Sequence, residues 1–377
     1  MMRSISICGK NLQTSHDFRN IVQTIEIEGV SVLCGLIYTK DPEFDPKDPE
    51  NKFKVLVKKR AFSCNYRDKN LILKTACHSP EDRFYIVGSD FVGEVVDIGA
   101  EVTNFQVGDR VIGNNSYPDS GVPGLLPGVS TNNASKEYQS FHQAKLLKIP
   151  PQISDESAAA FSIGGQTAYS MIRKLDIQPG ANVLVTAAKS NTSLFVINAL
   201  RQYDVNIYAT STSRYFEQEL KDMGLKQLIQ VNSDDDSWLA SPEMAQIYEQ
   251  IGGFNYIIDP FFDLHIGKII SLFVPRVGGK YITCGLYDQY SQFTGKDFEY
   301  HGLPLGQILL TMMLDNIHLI GNCVGTTEDL QQAIEDCATG CFPVIIDSVF
   351  TGNQIKDFFD RTYNAKERFG KVIYRYK

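Results

Sequence analysis

One run of small polar residues, between an apolar strand and an apolar helix, has the composition of an anion-binding turn. Val183, Leu184 and Val185 predict a buried strand, and apolar residues recur at helical spacing from Leu194 to Leu200. The turn between them contains Ser190, Asn191, Thr192 and Ser193. In such a strand–turn–helix unit, backbone N–H groups and the helix N-terminus hold a diphosphate. The stretch therefore predicts the opening unit of a dinucleotide-binding fold, although the glycines that usually mark this turn are absent.

The residues that follow the next predicted strand, Asn206–Thr210, bear on which dinucleotide is bound. Folds that bind NAD place an acid at this point to hold the ribose hydroxyls, and this chain has none there. It has hydroxyl groups and a guanidinium instead, on Ser211, Thr212, Ser213 and Arg214. These groups suit a 2′-phosphate, so the sequence favours NADPH. The alternative is that Ser213 only caps the next helix and that Arg214 is solvated.

Predicted strands and helices alternate after this turn, and the sheet that they form must position it. The predicted strands are Asn206–Thr210, Leu228–Val231, Tyr256–Asp259, Lys280–Cys284 and His318–Gly321. The helices predicted between them are Tyr215–Met223, Met244–Ile251, His265–Phe273 and Leu305–Leu314. Strands separated by single helices require right-handed crossovers. This half of the chain is therefore predicted to be a doubly wound parallel sheet of the Rossmann type.

The first part of the chain has strand patterns with few helices between them. The predicted strands are Ile21–Ile27, Val30–Tyr38 and Phe53–Lys59. The acidic, proline-rich segment 41–51 is predicted to be a surface loop without helix. In the sequence SCNYRD, Asn65 is followed three residues later by Asp68, which is typical of a helix N-terminus.

The composition argues against several classes of partner. The chain has 377 residues, with 44 acidic and 36 basic side chains and a net charge of −8, so nucleic acid and anionic membranes are not expected partners. No apolar run reaches the ~18 residues of a membrane span, and the first residues lack the apolar core of a signal peptide. The eight cysteines are scattered without the spacing of a zinc knuckle. We therefore expect reduced thiols and a cytoplasmic protein.

A block punctuated by glycines carries a resemblance to a known family. From Ile86 to Asn114 the chain reads IVGSDFVGEVVDIGAEVTNFQVGDRVIGN, which predicts short strands joined by tight turns in a compact barrel. Together with SCNYRD, this block resembles the GroES-like domain of the medium-chain dehydrogenase/reductase superfamily. Two later segments extend the resemblance, ASKEYQSFHQAKLLKIP from Ala134 and SDESAAAFSIGGQTAYSMI from Ser154.

The resemblance implies an α/β protein of two domains. A GroES-like β-barrel domain is expected in residues 1–157, completed by residues 327–377, and a Rossmann domain in residues 158–326. Relatives place the substrate pocket in the cleft between the two domains. They also pair edge strands near the position of Ile317–Ile320, which implies a homodimer here.

The resemblance also bears on metal binding. Zinc-dependent members of the superfamily place a cysteine, a histidine and a glutamate where Asn65, Ser89 and Asp90 stand in this chain. Cys64 is one position early, and the clustered cysteines of a structural zinc lobe are absent from residues 113–135. Zinc requires thiolate or imidazole ligands that converge on one point. The sequence therefore predicts no bound metal, and zinc-free relatives mostly reduce quinones, enones and enoyl thioesters.

These observations predict an NADPH-dependent reductase that transfers hydride to an activated C=C bond without zinc. The substrate would be an enone, a quinone or an enoyl thioester. Two alternatives stay open. One is an alcohol or aldehyde oxidoreductase that works without zinc, and the other is a non-catalytic binding protein of the same fold whose degenerate loop has lost the cofactor.

The resemblance implies a set of site residues. Tyr66 and Asn65 would stabilise or protonate the enolate that hydride transfer produces, and Ser89, Asp68 and Thr167 would line the substrate pocket. The implied cofactor-binding residues are Thr167, Ala188, Lys189, Ser190, Asn191, Thr192, Ser193, Ser211, Thr212, Arg214, Cys284, Gly285 and Lys371. Other tyrosines in predicted loops are equally open candidates for the substrate pocket, namely Tyr117, Tyr287 and Tyr290.

The missing glycines of the turn have specific positions. Relatives usually have glycine where Ala187, Ser190 and Ser193 stand here. Alanine and serine are small enough for close approach of a phosphate, but they adopt positive φ less freely than glycine. The hydroxyls of Ser190, Thr192 and Ser193, and the charge of Lys189, could compensate.

Overall fold

The structure is a computed structural model that describes residues 1–9, 21–78, 83–232, 236–287 and 305–376. The chain divides into two compact units. Unit 1 comprises Met1–Gln166, Thr326–Gly340 and Val344–Lys377, and unit 2 comprises Thr167–Gly325 and Cys341–Pro343. The domain boundaries predicted from the sequence, at residues 157/158 and 326/327, stay a prediction.

Unit 1 is built on two mainly antiparallel sheets. Its strands are β1 (Met2–Cys8), β2 (Ile21–Ile27), β3 (Val30–Thr39), β4 (Lys54–Ser63), β5 (Phe84–Ile86), β6 (Asp90–Ile98), β7 (Arg110–Gly113), β8 (Tyr138–His142), β9 (Leu146–Lys148), β16 (Ile346–Thr351) and β17 (Lys371–Arg375). One sheet has the order β2-β3-β1-β5. The other has the order β16-β17-β4-β6-β7-β9, with β8 also paired to β4. The helices are α1 (Tyr66–His78), α8 (Thr327–Thr339) and α9 (Ile355–Tyr363), and α2 (Asp155–Leu175) contributes residues to both units.

The close pairing of β4 with β6 depends on a glycine. Gly93 lies opposite Lys59, and a Cβ atom at Gly93 would be only 2.4 Å from Cγ1 of Val57. Any larger residue would therefore force these strands apart. The same register places Ser63 opposite Asp90, so the end of β4 and the start of β6 are neighbours.

Helix α9 and strand β16 are present in the structure but were not among the predicted elements. Helix α9 buries Ile355, Phe358 and Phe359, which follow helical i, i+3, i+4 spacing. The ring of Phe358 lies 5.4 Å from that of Phe62 on β4. The same ring lies 5.8 Å from that of Tyr374 on β17, so α9 packs against both strands, which are paired where Ile373 lies opposite Ser63.

The segment predicted to be a loop without helix contains one short helical turn. Residues Pro49–Asn51 form a 3-10 helix, and the side chain of Asp48 accepts a hydrogen bond from the N–H of Glu50 at 2.9 Å. The prediction was therefore wrong at this point. A proline fits the first turn of a helix because its missing N–H would have no partner there.

Unit 2 is a parallel sheet with helices between the strands. Its strands are β10 (Ala181–Val185), β11 (Val205–Ser211), β12 (Leu225–Gln230), β13 (Tyr256–Asp259), β14 (Gly279–Thr283) and β15 (Ile317–Gly321). Its helices are α3 (Asn191–Leu200), α4 (Glu217–Asp222), α5 (Pro242–Ile251), α6 (Phe262–Ile269) and α7 (Leu305–Asp315). The strand order is β12-β11-β10-β13-β14-β15, and every pairing is parallel. This is the doubly wound order with a reversal between β10 and β13, so the predicted α/β fold class is confirmed.

The helix predicted over His265–Phe273 has different bounds. Helix α6 begins at Phe262 and ends at Ile269, and a 3-10 turn over Ile270–Leu272 follows it. The apolar spacing covers both pieces, so the sequence pattern could not separate them. None of the described helices is long and apolar enough to cross a membrane.

Candidate functional site

The turn after β10 is held together by its own serines. Ser190 caps helix α3 and accepts a hydrogen bond from the N–H of Ser193 at 3.2 Å. The hydroxyl of Ser193 is buried and donates to the carbonyl of Thr186 at 2.7 Å. These two hydroxyls therefore build the turn and the helix N-terminus, so the predicted role of these side chains as phosphate donors does not fit this geometry.

Of the three positions at which relatives usually have glycine, only one has a positive φ in this structure. Ala187 has φ of +49°, whereas Ser190 has φ of −69° and Ser193 lies within α3. The N–H groups of Ala187 and Ala188 donate to Thr210, to Oγ1 at 3.2 Å and to the carbonyl at 2.8 Å respectively. These two bonds tie the turn to β11, and the left-handed conformation is confined to the single residue Ala187.

We expect Ala187→Gly to raise the free energy of unfolding by about 1 kcal/mol, because glycine removes the cost of the left-handed conformation. Ala188→Gly is the matched control, since Ala188 is fully buried and is not among the residues with positive φ. This control should lower the free energy of unfolding. Urea unfolding of both variants would test the prediction, and a loss of stability in Ala187→Gly would contradict it.

A cation lies where the sequence predicts recognition of a 2′-phosphate. Lys189 donates from Nζ to Oγ of Ser213 at 2.8 Å, just after β11. Arg214 is committed elsewhere, because its guanidinium donates to Glu217 at 2.9 Å and to Glu243 at 3.1 Å. Lys189 is therefore held beside the residues that follow β11, whereas Arg214 is bound by two carboxylates.

The remaining predicted cofactor residues are spread over unit 2. Asn191 and Thr192 open α3 and are half-buried, Ser211 ends β11 and Thr212 follows it, and Thr167 is buried in α2. Cys284 and Gly285 follow β14, and the Gly285 carbonyl accepts the N–H of Phe262 at 3.1 Å. Burial raises the pKa of the Cys284 thiol to about 12, so this side chain is a neutral thiol. Their roles toward a cofactor stay predictions.

In unit 1, the side chains at the positions of zinc ligands bind one another. Asn65 donates from Nδ2 to Oγ of Ser89 at 3.0 Å and to Oδ2 of Asp90 at 2.8 Å. Its Oδ1 accepts a hydrogen bond from the Lys371 ammonium at 2.7 Å. Ser89 in turn donates to Oδ2 of Asp68 at 2.5 Å. We call these five residues, Asn65, Asp68, Ser89, Asp90 and Lys371, the lysine cluster.

The lysine cluster is buried and its charges are paired. Lys371 and Asp90 are 3.1 Å apart and almost without solvent exposure. Burial raises the pKa of Asp68, although Arg67 and the Ser89 hydroxyl act in the opposite direction. The same carboxylate accepts the N–H of Asn65 at 2.7 Å, so the predicted helix N-terminus is confirmed.

Asp90 also reaches into a helix. Its Oδ1 accepts hydrogen bonds from the Ser162 hydroxyl at 2.6 Å and from the N–H of Ile163 at 2.8 Å. The carbonyl of Ala159, four residues before Ile163, accepts the hydroxyl of Ser63 at 2.8 Å. Ser63 on β4 thus binds the carbonyl of Ala159, and Asp90 on β6 binds the N–H of Ile163 one helical turn later. These two hydrogen bonds fix α2 to the sheet of unit 1.

The lysine cluster does not fit a zinc ion. Zinc takes thiolate, imidazole or carboxylate ligands, and among Asn65, Ser89 and Asp90 only the aspartate is such a group. An ammonium donates to Asn65 and Asp90 at this point, and a cation so held repels a second one. No group of three metal-binding side chains occurs in the part of the chain that the structure describes.

Two predicted roles must be revised. The Lys371 ammonium bonds to the Cys64 carbonyl at 3.3 Å, to Asn65 and to Asp90, which uses its three hydrogens. A contact between Lys371 and the cofactor therefore does not fit this structure. The Asn65 amide is also fully used within the lysine cluster, so it is a positioning group and has no hydrogen left for a substrate oxygen.

The structure describes three of the four tyrosines that are candidates for the site. Tyr66 is the first residue of α1 and is half-buried, and the Lys69 ammonium lies 4.2 Å from the centre of its ring. Tyr117 in unit 1 and Tyr287 in unit 2 are exposed. Tyr290 lies outside the described residues. The catalytic role of Tyr66 stays a prediction.

The sequence reasoning missed a buried carboxylate in unit 2. Asp259 is the last residue of β13, is fully buried, and accepts a hydrogen bond from the Thr186 hydroxyl at 2.6 Å. Thr186 directly follows β10, so this bond joins the two strands between which the sheet order reverses. An acid at the end of an apolar strand was the available signal, because such strand ends form the ligand-binding edge of a doubly wound sheet.

Comparison with known proteins gives consistent matches. Residues 51–151 match the alcohol dehydrogenase GroES-like domain. The trans-enoyl reductase RAP2 of Pyricularia oryzae is 28% identical over 239 residues, which are 59% of this chain and 63% of that protein. The chain therefore spans somewhat less than two thirds of RAP2. Acryloyl-coenzyme A reductase of Metallosphaera sedula is 24% identical over 346 residues, 87% of this chain and 93% of that protein.

The solved structure of the quinone oxidoreductase from Coxiella burnetii has the same fold. It aligns over 100% of this chain and 99% of its own, with a TM-score of 0.68 and 18% identity. The relatives named above are reductases, and this structural neighbour is an oxidoreductase. The resemblance stated from the sequence is thereby confirmed: residues 51–151 match a GroES-like domain, and the chain is similar to a trans-enoyl reductase, to acryloyl-coenzyme A reductase and, in fold, to a quinone oxidoreductase.

Proposed function

We propose that the protein is a zinc-independent, NADPH-dependent reductase that adds hydride to the β-carbon of an activated C=C bond. The single observation that carries this proposal is the lysine cluster. In this cluster, Asn65 and Ser89 stand where zinc-dependent relatives have metal ligands, and the ammonium of Lys371 provides the positive charge. Without a Lewis acid, an unactivated alcohol is a difficult substrate, whereas a conjugated carbonyl already activates its double bond.

The cofactor is proposed to bind at the carboxyl edge of the sheet in unit 2. The N-terminus of α3 would hold the diphosphate. Lys189, fixed by Ser213, would face the 2′-phosphate. When bound, NADPH supplies the hydride. The chain's part is to hold the dinucleotide, to orient the substrate and to provide a proton to the enolate carbon.

The substrate is proposed to be an enone, a quinone or an enoyl thioester. RAP2 is named a trans-enoyl reductase and the Metallosphaera sedula relative an acryloyl-coenzyme A reductase, and both names support this choice. The hydroxyl of Tyr66 is the proposed hydrogen-bond donor to the carbonyl oxygen of the substrate, where negative charge develops. Asn65 and Ser89 would act as positioning residues without contacting the substrate, because their polar atoms are engaged within the lysine cluster.

The test is steady-state kinetics of the purified, metal-free protein with NADPH and a panel of enones, quinones and enoyl thioesters. Turnover that is unchanged by chelator would support the proposal. Turnover that appears only on adding zinc, or only with alcohols and NADP⁺, would overturn it. Binding of neither NADPH nor NADH would favour a non-catalytic protein of the same fold.

A second copy of the chain is the proposed partner for one apolar face of unit 2. Strand β15 is an edge strand of its sheet, so its outer backbone groups can pair with another strand. Exposed apolar residues lie on β15 and on the neighbouring helix α7, namely Leu305, Leu309, Leu310, Met313, Leu314 and Leu319. In a two-fold dimer the same surface of both chains meets, so β15 would pair with β15 of the second copy and the two apolar helices would pack beside them.

Light scattering is expected to give twice the mass of one chain for the unmodified protein and the mass of one chain for Leu319→Lys. The added charge would be buried at the pairing edge, which is costly without a partner. Leu126→Lys is the matched control, because Leu126 is 82% exposed in unit 1 and should leave the dimer intact. A single-chain mass for the unmodified protein would refute the dimer.

A further inference from the structure

Four donors surround the buried carboxylate of Asp259. Its Oδ1 accepts from the Thr186 hydroxyl at 2.6 Å, from the N–H of Phe261 at 2.9 Å and from Nδ1 of His265 at 2.8 Å. Its Oδ2 accepts from the hydroxyl of Tyr281. Burial alone would raise the pKa of Asp259, but these hydrogen bonds, with that of His265 the largest, lower it below its usual range. Asp259 is therefore an anion, and Nδ1 of His265 carries the hydrogen between them.

This anion fixes the orientation of the His265 ring. Asp259 has no solvent exposure, whereas the side chain of His265 is 18% exposed. The second ring nitrogen, Nε2, has no hydrogen-bond partner within the part of the chain that the structure describes. A histidine that is held through one nitrogen by a buried carboxylate presents the other in a fixed direction.

The position of His265 in the sheet indicates which ligand it serves. Asp259 and Thr186 end the adjacent strands β13 and β10, where the strand order reverses. In doubly wound sheets this reversal opens the crevice that a dinucleotide crosses. Thr186 also begins the turn to α3, so one carboxylate links His265 to the turn that leads to the proposed diphosphate site at the N-terminus of α3.

We propose that His265 is a cofactor-binding residue whose Nε2 contacts an oxygen of the nicotinamide-side phosphate of the diphosphate, or of the ribose attached to that phosphate. Asp259 is then the positioning residue, and Thr186 and Tyr281 hold it in place. This inference rests on the proposed binding of NADPH. It differs from the function predicted by the sequence, which assigned no residue between Arg214 and Cys284 to the cofactor.

The decisive variant is His265→Asn. The asparagine amide can still donate to Asp259 from the place of Nδ1, but it has no atom at the place of Nε2. We expect unchanged thermal unfolding and a dissociation constant for NADPH raised about tenfold or more, as for loss of a hydrogen bond to a charged or strongly polar group. His265→Gln extends an amide toward the place of Nε2 and should recover part of the affinity.

Three ligands distinguish this contact from a general effect on unit 2. Isothermal titration would use NADPH, the 2′-phosphate of ADP-ribose, and adenosine 2′,5′-bisphosphate, which lacks the second phosphate and the second ribose. The inference predicts that His265→Asn weakens the first two ligands equally and leaves the third unchanged. Loss confined to NADPH would mean a contact with the nicotinamide ring and would overturn the assignment.

The outcomes also separate this inference from the proposed function. If the unmodified protein binds none of the three ligands, both fail. If it binds NADPH and His265→Asn binds equally well, only the inference about His265 fails. Equal weakening of all three ligands would show a structural disturbance of unit 2 and would also reject the contact.

Discussion

Replacing Lys371 by methionine is expected to lower the free energy of unfolding by about 3–5 kcal/mol. Methionine keeps most of the volume of the side chain but removes the ammonium. The carboxylate of Asp90 would then be buried without its cation, because its hydrogen bonds from Ser162, Ile163 and Asn65 are neutral. The measurement is urea unfolding followed by circular dichroism.

A surface ion pair supplies the control for Lys371→Met. Lys148 is 2.8 Å from Asp109, but its side chain is 51% exposed, so Lys148→Met should cost less than about 1 kcal/mol. The double variant Lys371→Met with Asp90→Asn should lose less stability than the sum of the two single changes. The interpretation of the lysine cluster fails if Lys371→Met and Lys148→Met are equally mild.

Replacing Lys189 by alanine is expected to weaken NADPH binding roughly 10- to 100-fold and to leave NADH binding nearly unchanged. The reason is that Lys189, held by Ser213, is the cation proposed to face the 2′-phosphate, the group that distinguishes the two dinucleotides. Dissociation constants for both ligands at one ionic strength would give the ratio directly, since charge pairs of this kind are sensitive to salt.

Arg214 provides the comparison within the same turn. Its guanidinium is bound by Glu217 and Glu243, so Arg214→Ala should change the NADPH to NADH ratio by no more than about threefold. A larger effect of Arg214 than of Lys189 would return the assignment to the residue that the sequence suggested. Equal weakening of NADH and NADPH by Lys189→Ala would place the lysine near the diphosphate instead.

The Rossmann half of the fold was predictable because its signals are local. Apolar strands such as Tyr256–Asp259 have the same bounds in prediction and structure, and helix–strand alternation dictates a parallel sheet. The helix over Ile355–Tyr363 was also within reach, since its buried residues follow i, i+3, i+4 spacing.

The interactions within the site were not predictable, because they join distant parts of the chain. The pattern around Asn65 shows a helix start, but it does not show that Lys371 binds this amide. In the same way, small residues at Ser190 and Ser193 suggest phosphate donors, whereas both hydroxyls close the turn itself. Side-chain hydrogen bonds of this kind depend on tertiary geometry and have no periodicity in the sequence.

The position of Lys371 on β17 has a consequence for synthesis on the ribosome. Asp90 emerges first, and its cation follows 281 residues later. At about 5–20 residues per second, roughly 15 to 60 seconds pass between the two. During that time β4 lacks its neighbour β17, and the carboxylate of Asp90 lacks the ammonium that balances it after burial. Unit 1 therefore closes late, when β17, the last strand described in the chain, becomes available to pair with β4.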